Sequence, residues 1–203
     1  PGVYKLSNGV AAPITTFTER NKRVNSVYGT ATLSYANKIF LDVTGRNDWS
    51  STLPSGNNSF FYPSVSTSFI LSDLLRLPEQ ISFAKLRASW AQVGNDTNPY
   101  KTAKYYNTSA FPGSASVSPT LYNARFKPEI SNSIEVGLDW RMFKQRFGLD
   151  LAFYNNITRN QILDVPMDQT TGYTKATMNS GKVRNRGIEL QLDGTPVKTK
   201  NFT

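Results

Sequence analysis

What most constrains this chain is a period of two. Ile134, Val136, Leu138 and Trp140 alternate with Glu135, Gly137, Asp139 and Arg141. After a break at Lys144, Gln145 and Arg146, Phe147, Leu149, Leu151 and Phe153 alternate with Gly148, Asp150, Ala152 and Tyr154. Side chains on a strand point to opposite faces in turn, so each segment has one apolar face and one face that carries charge. The stretch from Ser131 to Asn155 predicts one antiparallel hairpin.

The pattern recurs along the chain. Val27, Gly29, Ala31, Leu33 and Tyr35 alternate with Tyr28, Thr30, Thr32 and Ser34 up to a tight turn at Asn37 and Lys38, beyond which Ile39, Leu41 and Val43 alternate with Phe40, Asp42, Thr44 and Arg46. Further strands are predicted from Phe61 to Leu71, from Ile81 to Val93 and around Ile188, Leu190 and Leu192, and another begins at Phe202. The links at Asn37–Lys38, Ser72–Gln80, Lys144–Arg146 and Thr195–Asn201 are short, whereas those at Asp48–Ser59, Asn95–Ile130 and Asn156–Arg186 are long, in strict alternation. In a soluble domain, structureless loops beyond about 12–15 residues would count against the strands. Short turns on one side and long loops on the other mark a transmembrane barrel. The predicted fold is therefore all-β: an antiparallel transmembrane β-barrel segment of about seven to eight strands, with long extracellular loops and short periplasmic turns. Between Ser72 and Gln80, Ser72 and Asp73 are placed to cap a short periplasmic helix through Leu74, Leu75 and Arg76, which Pro78 ends.

Composition agrees once read by strand. Hydrophobic residues make up 38% of the chain and the mean hydropathy is -0.41, but a barrel strand gives only every second residue to lipid. No apolar run is long enough for a membrane helix. The sequence has no Cys and no His, which removes disulfides, thiolate metal sites and the usual nucleophile–base pairs. No cofactor is expected. The formal charge of +9 comes from dispersed Lys and Arg without a nucleic-acid motif, and points instead to anionic outer-membrane lipid or an acidic partner. The chain begins at Pro1 without a signal peptide and ends at Thr203 as a strand begins, so it is expected to be an internal piece of a longer protein.

Four phrases point to a family. Lys127-Pro128-Glu129-Ile130-Ser131-Asn132-Ser133-Ile134-Glu135-Val136-Gly137 is the strongest, followed by Asn185-Arg186-Gly187-Ile188-Glu189-Leu190 with Asn179-Ser180-Gly181 before it. Gly45-Arg46-Asn47-Asp48-Trp49-Ser50-Ser51 and Leu86-Arg87-Ala88-Ser89-Trp90-Ala91-Gln92-Val93-Gly94-Asn95 complete the set. In this order and spacing they resemble the C-terminal barrel of SusC/RagA-type TonB-dependent outer-membrane transporters. The resemblance implies that residues 1–203 are part of one barrel domain of roughly 22 strands, with 1–23 the end of an extracellular loop and the plug domain absent from this sequence. It also implies a multi-pass protein of the outer membrane that imports a nutrient such as an oligosaccharide or peptide, coupled to TonB through a missing N-terminal part and to a SusD-like surface lipoprotein as lid. A soluble β-sandwich acting as a carbohydrate-binding module is the alternative from the residues alone, with shorter strands and polar outward faces.

The charged strand positions Arg46, Lys85, Arg87, Glu135, Asp139, Arg141, Asp150 and Glu189, with Asp193, are expected to face the lumen. Paired carboxylates can cleave glycosides, but in a polar lumen ion pairing with the basic residues explains them better, and no enzyme activity is expected. Phe60, Phe61, Tyr62, Trp49, Trp90 and Trp140 fit interfacial girdles. Tyr100, Tyr105, Tyr106, Phe111 and Tyr122 lie in a long Ser- and Asn-rich loop. Such residues can bind ligand, contact a lid protein or pack the loop on itself, and with Trp49 they are the candidates for contact with substrate or lid protein. Asn95, Asp96 and Asn98 read as turn formers rather than calcium ligands.

Overall fold

A computed structural model describes residues 19–108 and 113–196. Phe111, the strand beginning at Phe202 and most of the expected N-terminal loop segment lie outside the described residues. The strands are β1 (Val24–Tyr35), β2 (Ile39–Ser50), β3 (Ser59–Ile70), β4 (Ile81–Asn95), β5 (Tyr106–Thr108), β6 (Ala115–Val117), β7 (Thr120–Leu121), β8 (Glu129–Met142), β9 (Phe147–Arg159), β10 (Ile162–Pro166), β11 (Lys175–Asn179) and β12 (Lys182–Gly194), with a helical turn α1 (Leu71–Leu74). Seven of the strands form one sheet in the order β1-β2-β3-β4-β8-β9-β12. Every neighbouring pair is antiparallel.

The register turns the alternation of each strand into two continuous faces. Leu33 pairs with Leu41, Leu86 with Leu138, Leu138 with Leu151 and Leu151 with Leu190. Lys85 pairs with Asp139, Asp139 with Asp150 and Asp150 with Gln191 on the opposite face. No second sheet packs on the apolar face among the described residues: Leu33 and Leu190 keep 63% and 60% of their surface exposed, and the buried hydrophobics are only Leu53, Ala84, Phe126, Ala152 and Ala176. A β-sandwich would hold its core between two sheets, so that alternative does not fit this architecture.

Strand ends differ from the sequence-based expectation. The seven large strands have 12 to 15 residues, more than the 9–11 or so that cross a bilayer. Their overhanging ends lose the alternation, as in Lys182–Arg186, where Lys182, Arg184 and Arg186 stand in line with Ile188 and Leu190. The stretch 156–186, expected as one loop, is thereby shortened to 160–181, and 48–59 to 51–58. The length alternation is consequently not strict, because the link 71–80 is longer than 51–58. What alternates is the end of the sheet: an antiparallel meander puts 36–38, 71–80 and 143–146 at one end and 51–58, 96–128 and 160–181 at the other.

Helix α1 also starts earlier than expected. Its N-cap is Ile70, arriving extended from β3, with no side-chain cap; Ser72 and Asp73 already lie inside the turn, and the chain is extended again at Leu75. The tight turns use left-handed backbone at Ala36 and Asn37 and at Phe143, Lys144 and Gln145. The second turn is pinned to α1's link by the Phe143 N–H donating to the Gln80 carbonyl at 2.7 Å.

Candidate functional site

Ion pairs cover the polar face. The guanidinium of Arg87 on β4 grips Asp150 on β9 with two hydrogen bonds of 3.0 and 2.9 Å, and its Nε lies 3.7 Å from Glu135. Between them on β8 is Gly137, where a β-carbon would collide with the Arg87 side chain. The arrangement repeats one strand on: Arg141 on β8 reaches Asp193 on β12 at 3.4 Å while holding Asp139 at 3.1 Å, and Asp193 leans over Gly148 on β9. Two glycines on middle strands therefore open the way for ties that skip a strand.

Toward the long-loop end, Arg46 holds Asp48 through Nε at 2.8 Å and Nη2 at 3.2 Å, and Tyr62 donates its hydroxyl to the same carboxylate. Lys85 and Glu189 make no ion pair among the described residues. Asp139 and Asp150, opposite each other in the register, are each ion-paired with an arginine.

The aromatics divide between the faces. Trp49, Phe61, Trp90 and Trp140 share the apolar face, Phe61 lying over Gly45. Phe60 and Tyr62 belong to the polar face and stack at 5.9 Å, which corrects their expected place in a girdle: strand parity sets neighbours such as Phe60 and Phe61 on opposite sides.

The family phrases now have physical meanings. Glu129 accepts the Ile162 N–H at 2.6 Å and the Asn95 side-chain amide at 3.2 Å, closing the mouths of both long loops. Asn179 accepts the Lys127 N–H at 2.9 Å and donates to the carbonyls of Lys127 at 2.8 Å and Asn160 at 2.9 Å. Gly181 follows with φ +88, a left-handed backbone that favours glycine. Gly187 makes room for the Tyr154 hydroxyl, 2.7 Å from where a β-carbon would sit. The Asp96 carboxylate is committed to Ser50, Thr52 and the Lys22 ammonium, so it serves as a loop anchor. Fully buried Phe126 plugs the base of the 96–128 loop.

Above these clamps the two long loops fold on each other. Strand β10 pairs with β11, and β11 runs parallel to β7. One face of this small sheet, carrying Asp164, Thr177, Lys175 and Thr120, floors a cavity of about 580 Å³. The Lys175 Nζ donates to Asp164 at 2.8 Å and the almost fully buried Thr177 hydroxyl donates to it at 2.7 Å. The Lys175 hydrogen bond chiefly, then that of Thr177, holds the Asp164 carboxyl below its ordinary range against the opposing effect of burial, helped by the field of Lys175 and Lys101. Asp164 in turn pushes the Lys175 ammonium upward.

Tyr100, Tyr105 and Tyr122, three of the loop aromatics singled out by sequence, wall this cavity. Tyr100 and Tyr105 meet edge to face at 6.0 Å, Tyr100 has a left-handed φ of 65, and the Asn21 N–H donates to its hydroxyl at 3.2 Å. Such a backbone is uncommon for a tyrosine and persists only where its surroundings fix it. Tyr106, beside Asn107 on β5, projects to the other face, and Trp49 stays on the apolar side of β2. Arg20, Lys101, Asp164, Lys175 and Thr177 also line the cavity and were not singled out from sequence. Lys175 and Thr177 alternate with Ala176 and Met178, a signal too short to stand out inside a long link.

A single antiparallel sheet with one bare apolar face and one ion-laced face, its loops clustered at one end, is the wall of an outer-membrane β-barrel. The chain belongs to the family described as TonB dependent receptor-like, beta-barrel, whose model matches residues 3–203. It is similar to a TonB-dependent receptor of Formosa agariphila, 32% identical over 189 residues, covering 89% of this chain and 19% of that protein. It is also similar to the TonB-dependent receptor SusC of Bacteroides thetaiotaomicron, 25% identical over 210 residues, covering 93% and 20%. The chain thus spans about a fifth of the length of these curated relatives. Among solved structures, the RagAB peptide transporter superposes with a TM-score of 0.80 at 24% identity, covering 89% of this chain and 20% of that one. The siderophore receptor PirA of Pseudomonas aeruginosa follows with a TM-score of 0.60 at 18% identity, covering 84% and 31%. These relatives are named as receptors and transporters, not as enzymes.

Proposed function

We propose that this chain forms part of the barrel wall of a TonB-dependent importer that takes up an oligosaccharide or peptide with a SusD-like surface lipoprotein. The observation that carries the reading is the continuity of the polar face, from Arg141 and Arg87 through Arg46 to a tyrosine-walled cavity at the long-loop end. On this reading the apolar face meets lipid, and Arg46, Lys85, Arg87, Glu135, Asp139, Arg141, Asp150 and Glu189 face the lumen and its plug. The long loops are extracellular and the short turns periplasmic. Tyr100, Tyr105 and Tyr122 touch substrate, while exposed Tyr106 faces the lid protein. TonB supplies the energy through a part of the receptor outside this chain.

Sidedness tests the reading directly. Ser116→Cys on β6 is expected to react with a membrane-impermeant maleimide on intact cells bearing the full-length receptor, above the level of the unsubstituted receptor. Reaction only after the outer membrane is opened would invert the topology. Deleting residues 105–118 in the full receptor is expected to reduce uptake or lid association while the barrel still folds.

A further inference from the structure

We infer that the loop cavity selects an oligosaccharide carrying negative charge, as carboxylate or sulfate groups, and that Arg20 and Lys101 are its anion-binding residues. The inference rests on the proposed reading of this cavity as the substrate-facing site, and deepens it. Three cationic side chains, Arg20, Lys101 and Lys175, line the cavity against one carboxylate, Asp164. That carboxylate is hydrogen-bonded to Lys175 and Thr177 at 2.8 and 2.7 Å and meets Lys101 only through its field, and one carboxylate cannot balance three cations. Neither Arg20 nor Lys101 has an ion-pair partner among the described residues. Two positive charges are left to be met by whatever enters.

The scaffold holds both of them in place. Arg20 directly precedes Asn21, whose N–H is hydrogen-bonded to Tyr100, and Lys22, which is paired with Asp96. Lys101 follows Tyr100, whose left-handed backbone sets the direction of the chain at that point. The surrounding field has the same sign. Residues 96–128 carry Lys101, Lys104, Arg125 and Lys127 against the single carboxylate of Asp96, itself committed to Lys22. A positive loop over a cavity raises the local concentration of anions and speeds their capture.

The rest of the lining favours a sugar chain over a peptide. Among the described residues, apart from Pro99, it has no aliphatic or phenylalanine side chain to receive the apolar residues of a peptide. It offers tyrosine rings for the C–H faces of a sugar, and Asn98, Asn107, Ser118 and Thr120 for its hydroxyls. The volume of about 580 Å³ lies within the range of small-ligand sites, roughly 300–1,000 Å³.

The test uses the full-length receptor in lipid nanodiscs and calorimetric titration with four probes: an oligogalacturonate, a carrageenan-derived sulfated oligosaccharide, neutral maltohexaose and hexaglutamate. One or both charged sugars should bind more tightly than the neutral sugar and hexaglutamate. Added salt should weaken that binding. Arg20→Gln and Lys101→Gln should each lower the affinity about tenfold, while Lys101→Arg keeps most of it. Heat-modifiable gel mobility verifies that each variant still folds as a barrel. Maltohexaose binding as tightly as the charged sugars, with Lys101→Gln silent and Tyr122→Ala weakening it, would overturn the charge selection and leave the cavity as the substrate site. Preference for hexaglutamate would overturn the saccharide. If no probe binds in a way that Arg20→Gln, Lys101→Gln or Tyr122→Ala alters, the inference falls together with the reading of the cavity.

Discussion

Replacing Leu151 by Arg puts the assignment of the apolar face to its severest test. Leu151 sits in the middle of the outward run Phe147, Leu149, Leu151 and Phe153, with Leu138 on β8 and Leu190 on β12 directly alongside. It lies four residues along the strand from Phe147. With a rise of about 3.3 Å per residue and a strand tilt of about 40°, that is a depth of about 10 Å, close to the centre of an apolar band about 25 Å tall. An arginine at that depth, flanked by leucines on both sides, costs roughly 2–4 kcal/mol. The equilibrium for folding should fall roughly 30- to 800-fold. Leu149→Arg, about 5 Å deep, should cost less, about 1–2 kcal/mol. Asp150→Asn, adjacent in sequence, removes only an ion pair whose two side chains are about a third exposed, at 34% and 36%, and should cost roughly 1 kcal/mol or less. The assay is urea titration of the full-length receptor refolded into vesicles, read by heat-modifiable mobility. If Asp150→Asn shifts the midpoint as much as Leu151→Arg, the apolar face does not meet lipid and the whole register argument is wrong.

Other perturbations probe the ties and clamps. Gly137→Ala should displace the Arg87 guanidinium from Asp150 and destabilise the barrel by about 1–2 kcal/mol; equal urea midpoints for Gly137→Ala and wild type would deny Gly137 this role. Asn179→Ala strips three hydrogen bonds, two of which join the loops, and should raise protease cleavage within 96–128 without altering barrel mobility. The Asp164 carboxyl is held below its ordinary range, so its contribution to the loop sheet is fully present above the unfolded-state value near 4 and is lost as pH falls through the lower folded value. Hydrogen-exchange protection in 162–179, taken relative to the intrinsic exchange rate at each pH, should therefore stay constant from neutrality to about pH 4 and fall only below it. Loss of protection near neutrality would contradict the Lys175–Asp164 tie.

The large sheet was legible in the sequence because lipid on one side and a polar space on the other impose opposite demands on alternate residues. Leu138 and Asp139 could hardly have changed places. The loop sheets were not, since β5, β6, β7, β10 and β11 are two to five residues long, too short for an alternation to stand out. Helix α1 was legible in place but not in its cap, because Ile70 belongs to β3 by pattern and to the turn by backbone. Tyr100, Tyr105 and Tyr122 stood out as aromatics in a polar stretch. The cations beside them, Arg20, Lys101 and Lys175, come from three separate segments that only the fold brings together.

The ties that skip a strand bear on how such a wall is assembled. Hydrogen bonds between adjacent strands form equally well in a slipped alignment, so pairing alone does not reveal an error. Arg87 reaches Asp150 only when β4, β8 and β9 are all aligned with Gly137 beneath the arginine, and Arg141 reaches Asp193 only when β12 has joined with Gly148 in place. A slip of one residue would turn the arginine or its carboxylate toward the hydrocarbon. Each added hairpin is thus checked against the strand before last, a memory longer than nearest-neighbour pairing, and the glycine in the middle strand is the mark against which the alignment is read.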